Sequence, residues 1–212
     1  LTGVITLRER DRGGAADLST GSFATTRASA ARVARIGEAR LFFSGLYERS
    51  DGYTPVRGSM RGEADQPIDL ETRAASLRLD APVGDAELSV RLGGYRDARG
   101  AGLAGARAKA AGSSLSATLA RSPAETGWGW RLQAWRRESD LANTAVVVAA
   151  NRATTTPANE QYATPATGTG LNAALRWASP AFEGEVGLDA RLAEGEVREH
   201  FRYIGNAFTR DR

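Results

Sequence analysis

The stretch Gly170–Leu192, GLNAALRWASPAFEGEVGLDARL, decides how the chain is read. In its first half Leu171, Ala173, Leu175 and Trp177 alternate with Asn172, Ala174 and Arg176. In its second half Phe182, Val186, Leu188, Ala190 and Leu192 alternate with Glu183, Glu185, Asp189 and Arg191. Successive side chains of a strand point to opposite faces, so each half makes a strand with one apolar and one polar side. Between them lies Ala178-Ser179-Pro180-Ala181, whose proline cannot donate to a sheet ladder and marks a tight turn. The unit is a β-hairpin, and its open question is which solvent meets the apolar side.

Working outward, the same unit recurs. Leu115, Ala117 and Leu119 alternate with Ser114, Ser116 and Thr118 up to a turn at 122–127. The return strand sets Trp128, Trp130, Leu132 and Ala134 against Arg131, Gln133, Trp135 and Arg137. Earlier, a turn at 82–85 leads into a strand with Ala86, Leu88, Val90 and Leu92 opposite Glu87, Ser89, Arg91 and Gly93. In ARLFFSGLYERSDGY (39–53), Leu41, Phe43 and Tyr47 share one face and Arg40, Ser44 and Glu48 the other, with Phe42 and Leu46 as exceptions. Residues 16–35 alternate poorly. Their Ser and Thr content favours a strand, while the alanines of 28–34 also suit the start of a helix. A short strand, GVITLRE, is expected at 3–9.

The connections carry the architecture. Tight ones are expected near Gly37, Gly84, Ala124 and Pro180, and long polar ones at 51–68, 98–112, 139–168 and after 194. Short turns at one end and long loops at the other, joined by strands of about ten residues, describe an antiparallel up-and-down transmembrane β-barrel. A bilayer offers no partner for backbone N–H and C=O groups, so only a closed sheet or a helix spans it. Trp128, Trp177 and Phe182 lie beside tight turns and Tyr47 near a loop, where an interfacial aromatic girdle belongs. The expectation is an all-β, partial barrel of about eight strands. The start and end of the chain both read as cut, so a piece of a longer protein is expected.

Composition narrows the function. The net charge of +3 is spread along strands beside acidic residues, unlike the concentrated basic face of a nucleic-acid binder. Lys109 is the only lysine, and with no cysteine, disulfides and thiolate chemistry are excluded. The longest apolar run, 145–150, is far short of the roughly 20 residues of a membrane helix.

Three stretches resemble a known family. GVITLRER at 3–10 is similar to the strand that closes the plug of TonB-dependent outer-membrane receptors, with Thr6 where that pattern usually carries Asn. ARLFFSGLYERSDGY resembles their second barrel strand entering an external loop, and NEQYATPATGTGLNAALRW at 159–177 their loop-to-strand entry. The resemblance implies that 1–13 are the last plug strand and linker, and 14–212 the first part of the barrel. It implies energised uptake of a scarce nutrient such as a ferric siderophore, with outer-membrane lipid and the TonB complex as partners and no cofactor. Alternatives are a general porin or structural barrel, and a soluble carbohydrate-binding or hydrolytic β-domain whose apolar faces pack together.

No catalytic residue is expected. His200 is the only histidine, no Gly-x-Ser-x-Gly elbow exists, and the glycines at 93–94 and 100–105 lack a P-loop's lysine. Glu183, Glu185, Asp189 and Glu194 read as a polar ladder facing arginines rather than a glycosidase pair. Within the receptor reading, the external-loop candidates for ligand contact are Tyr53, Arg57, Arg61, Asn151 and Arg152.

Overall fold

A computed structural model describes residues 12–123 and 127–212 and places twelve strands in them. In order they are β1 (Gly14–Gly21), β2 (Thr25–Ile36), β3 (Ala39–Ser50), β4 (Leu70–Val83), β5 (Ala86–Gly100) and β6 (Arg107–Arg121). Then come β7 (Gly127–Val148), β8 (Thr155–Ala163), β9 (Ala166–Ser179), β10 (Phe182–Gly195), β11 (Arg198–Ile204) and β12 (Ala207–Asp211). All join one antiparallel meander sheet that stays open rather than closing into a barrel. The strand expected at 3–9, and residues 124–126 of the expected turn, lie outside the described residues.

The 22-residue β7 is the spine of the second half. Its first part pairs with β9 and its last part with β8, so β8 and β9 are one pass interrupted at Thr164-Pro165. Pro165 has no N–H for the ladder, and the Thr164 N–H donates instead to Asp140 Oδ1 at 2.7 Å. β10 and β11 form a second interrupted pass, broken at Glu196-Val197. The sheet thus makes ten passes, more than the eight expected.

The extra passes come from segments whose alternation is hidden. Residues 16–35 are two strands joined through Ser22-Phe23-Ala24, with no helix; Phe23 and Ala24 both take positive φ. The long loops expected at 98–112 and 139–168 are mostly strand, leaving connections of only 101–106 and 149–154. The tail after 194 continues as β11 and β12. Strict alternation of short and long connections is therefore incorrect. Among the described residues only 51–69 is a long loop, and it carries a short helical turn at Gly58–Met60.

Register sorts the side chains into two faces. Residues directly opposite in an antiparallel pair point the same way. One row, from β2 to β10, reads Ala34, Leu41, Leu79, Val90, Ala117, Ala134, Leu171 and Ala190. The adjacent row, on the other face, reads Arg35, Arg40, Asp80, Ser89, Thr118, Gln133, Asn172 and Asp189. The polar row is linked laterally. Ser89 donates to Asp80 at 2.8 Å, Gln133 to Thr118 at 3.2 Å, and Asn172 to Asp189 at 3.4 Å. Arg176 pairs with Glu185, so the expected ladder of carboxylates and arginines across the β9–β10 hairpin is present. Glu194 alone of that set stands on the apolar side, in register with Thr167.

No large side chain is fully buried among the described residues. Among the described residues the buried apolar ones are Val33, Ala64, Ala86, Ala106 and Ala174, none bulkier than valine. Asp80 on the polar face is 7 % exposed, whereas Leu132 and Leu188 on the apolar face are 50 % and 67 % exposed. The usual distribution of a water-soluble domain is inverted.

Candidate functional site

The tight turns and the loops lie at opposite ends of the sheet. At the tight-turn end, Gly37 and Gly84 take positive φ (60° and 62°), which two-residue hairpins need and glycine supplies without strain. Pro180-Ala181 closes the β9–β10 hairpin, and the Phe182 N–H donates to Ser179 Oγ at 3.1 Å. On the apolar face beside this turn Trp128, Trp177 and Phe182 form a chain, with ring centroids 5.8 and 6.2 Å apart. The three aromatics expected beside the tight turns are therefore brought together, while Tyr47, on β3, stands apart from them.

The loop end gathers the candidate ligand contacts. The long loop 51–69 ties to both 101–106 and 149–154. The Ala64 N–H donates to the Arg152 carbonyl at 2.9 Å, Ala104 N–H to the Ala64 carbonyl at 2.8 Å, and Gln66 N–H to the Gly102 carbonyl at 3.1 Å. At the centre sits Asp65, whose side chain is fully shielded. Its carboxylate accepts from Nε and Nη2 along one edge of the Arg152 guanidinium, with Nε at 2.9 Å, and from the Gly62 N–H at 2.8 Å. The Arg152 guanidinium, then the Gly62 amide, hold the Asp65 carboxyl down at a pKa of about 2 despite its burial. Gly62 is required here, since a Cβ would collide with the Arg152 carbonyl.

The five candidates divide by what already occupies them. Arg152 is committed to Asp65, and its own backbone takes positive φ (55°). Arg61 donates to the Val56 carbonyl at 3.1 Å and so braces the loop it belongs to. Tyr53 stacks against Phe23, with centroids 5.6 Å apart. Asn151 is exposed, its side chain accepting from the Ala153 N–H at 3.1 Å, and Arg57 is exposed. Asp65 itself was not a candidate. Its partner is 87 residues away in sequence, and nothing local distinguishes it from a solvated loop aspartate.

His200 sits on β11 with its side chain 35 % exposed, Nδ1 3.2 Å from Glu160 and its ring 4.4 Å from that of Tyr162. Gly93 and Gly94 lie in mid-strand on β5. Among the described residues no group of three or more acidic or histidine side chains is placed to hold a metal ion. Compared with known protein families and with curated proteins, the chain matches none.

Proposed function

We propose that this chain is membrane wall, part of an outer-membrane transporter of the TonB-dependent kind that takes up a scarce nutrient such as a ferric siderophore. The observation that carries the reading is the inverted polarity of the sheet. Asp80 is buried and hydrogen-bonded on one face, while Leu132, Leu171 and Leu188 stand bare on the other. Burying an ionised carboxylate costs several kcal/mol unless it is paired, and a bare leucine forgoes about 1.5–3 kcal/mol in water. A sheet so arranged suits lipid on its apolar side and water on its polar side.

The belt has the right height. On β10 the apolar face runs from Phe182 to Leu192 and ends at Glu194. Ten steps at about 3.3 Å give ~33 Å along the strand, or ~25 Å at a tilt of about 40°. The same boundary row carries Glu138 on β7 and Ser113 on β6. Among the described residues no second layer covers the belt, as a soluble β-domain would need. In this reading the tight turns are periplasmic, the braced loops face outward to capture ligand, and the resemblance at 3–10 supplies the link to TonB.

The test is direct. Full protein expressed in a Gram-negative host should sediment with the outer membrane and migrate faster on gels before boiling than after. Growth on the limiting nutrient should fail when either its gene or TonB is removed. A product that stays in the supernatant after ultracentrifugation rejects the membrane reading; outer-membrane protein with TonB-independent uptake rejects the transporter reading and leaves the porin.

A further inference from the structure

Strand β7 presents Arg131, Gln133, Trp135 and Arg137 in succession on the polar face. Trp135 does not stand upright. Its cross-strand partner is Gly170, where a Cβ would collide with the indole, and a Cβ at Gly168 would lie 3.2 Å from it. The ring therefore lies down on a floor of two glycines. The Arg137 guanidinium sits 5.5 Å from a Trp135 ring centroid, within cation–π range. Among the described residues that guanidinium has no carboxylate or carbonyl partner, whereas Arg191 is held by Asp189 and Arg136, on the apolar face, by Glu138. Stacking uses the flat face of a guanidinium and leaves its N–H edge able to bind an anion bidentately.

Around this pair is an open recess of about 420 Å³, a volume ordinary for a small-molecule site, walled by Ser114, Ser116 and Gln133 with Arg91 and Arg191 at its margins. Among the described residues no carboxylate lines it. The sheet row through Trp135 and the next row toward the loops hold Arg78, Arg91, Arg191 and Arg137, of which Arg78 is paired with Asp80 and Arg191 with Asp189. We infer that this recess binds a small organic anion carrying a flat ring: the anionic group on the Arg137 fork, the ring against the indole, and ring substituents on the Ser and Gln side chains. The inference needs only that the polar face meets water, and so stands or falls apart from the membrane reading.

The experiment titrates the full protein in detergent micelles with para-fluorobenzoate and, in parallel, its uncharged relative para-fluorobenzamide, followed by fluorine NMR. Saturable binding of the acid with about tenfold preference over the amide is expected, the worth of one charge-assisted hydrogen bond. Arg137→Gln should weaken it about tenfold and Trp135→Leu about fivefold. Arg136→Gln, the adjacent residue on the opposite face, should leave it unchanged. Absence of saturable binding, equal binding of acid and amide, or full binding by Arg137→Gln with an unaltered circular dichroism spectrum overturns the assignment.

Discussion

Asp65 joins two segments of chain, 51–69 and 149–154, through one carboxylate, and its behaviour with pH follows from that. Its pKa in the folded protein is about 2, against about 3.9 for a free aspartate. A depressed carboxylate pKa contributes stability that is complete above the unfolded value and is lost as pH falls through the folded one. The bracing of 51–69 should therefore hold at neutral pH and loosen between about pH 4 and pH 2. Pepsin cleavage within 51–69, measured against an Asp65→Asn variant that lacks the ion pair throughout, should rise toward the variant's rate over that window. A ratio that stays flat contradicts the assignment. Glycines paired with aromatics make a second prediction at this scale. Gly170→Val should force Trp135 off its floor and cost about 1–3 kcal/mol in a urea titration of the micelle-bound protein. Trp135→Ala in the same background should recover part of that loss, because the clash partner is gone.

At the scale of one element, β7 makes the two-faced sheet testable with adjacent residues. Leu132 faces the apolar side, in register with Leu119 and Ala173; Gln133 faces the polar side and donates to Thr118. If the apolar side meets lipid, Leu132→Arg should destabilise insertion by about 2–4 kcal/mol at mid-belt. Gln133→Arg, one residue away, should cost less than about 1 kcal/mol, since Arg is already common on that face. Comparable losses would reject the facing deduced from register. Most of this element was legible: the split of Trp128, Trp130, Leu132 and Ala134 from Arg131, Gln133, Trp135 and Arg137 follows from period two alone. Its length was not. Beyond Glu138 the residues Ser139-Asp140-Leu141-Ala142-Asn143 lose the apolar signal, which the proposed membrane reading explains by placing this part of the strand above the belt. A strand read by its hydrophobic pattern therefore ends too early.

At the scale of the molecule, the sheet has two open sides among the described residues. There β1 pairs only with β2; on the other side β10 pairs only with β9, and β12 only with β11. Unpaired edges beside a bare apolar face favour association in water. The 212-residue chain, refolded without detergent, should elute as large oligomers, and adding detergent above its micelle concentration should shift it toward a small, β-rich particle. A detergent-free monomer of unchanged spectrum would show that the apolar face finds cover within the chain.

The amino-acid order determined the face of residues in the clearly alternating strands, such as 86–92, 115–119, 128–137 and 171–192, because alternation is local and a strand has only two sides. It also placed the turns at Gly37, Gly84 and Pro180, where a positive φ or a missing N–H dictates the geometry. What tertiary structure decided was everything that depends on partners distant in sequence. The pairing of β7 with both β8 and β9, the continuation of strands past their apolar stretch, and the ion pair of Asp65 with Arg152 all bring together residues with no local signal for one another. The five loop candidates could be assigned to one end of the sheet from sequence. Only the fold shows that Arg152 and Arg61 hold that end together, while Arg57 and Asn151 are left facing solvent.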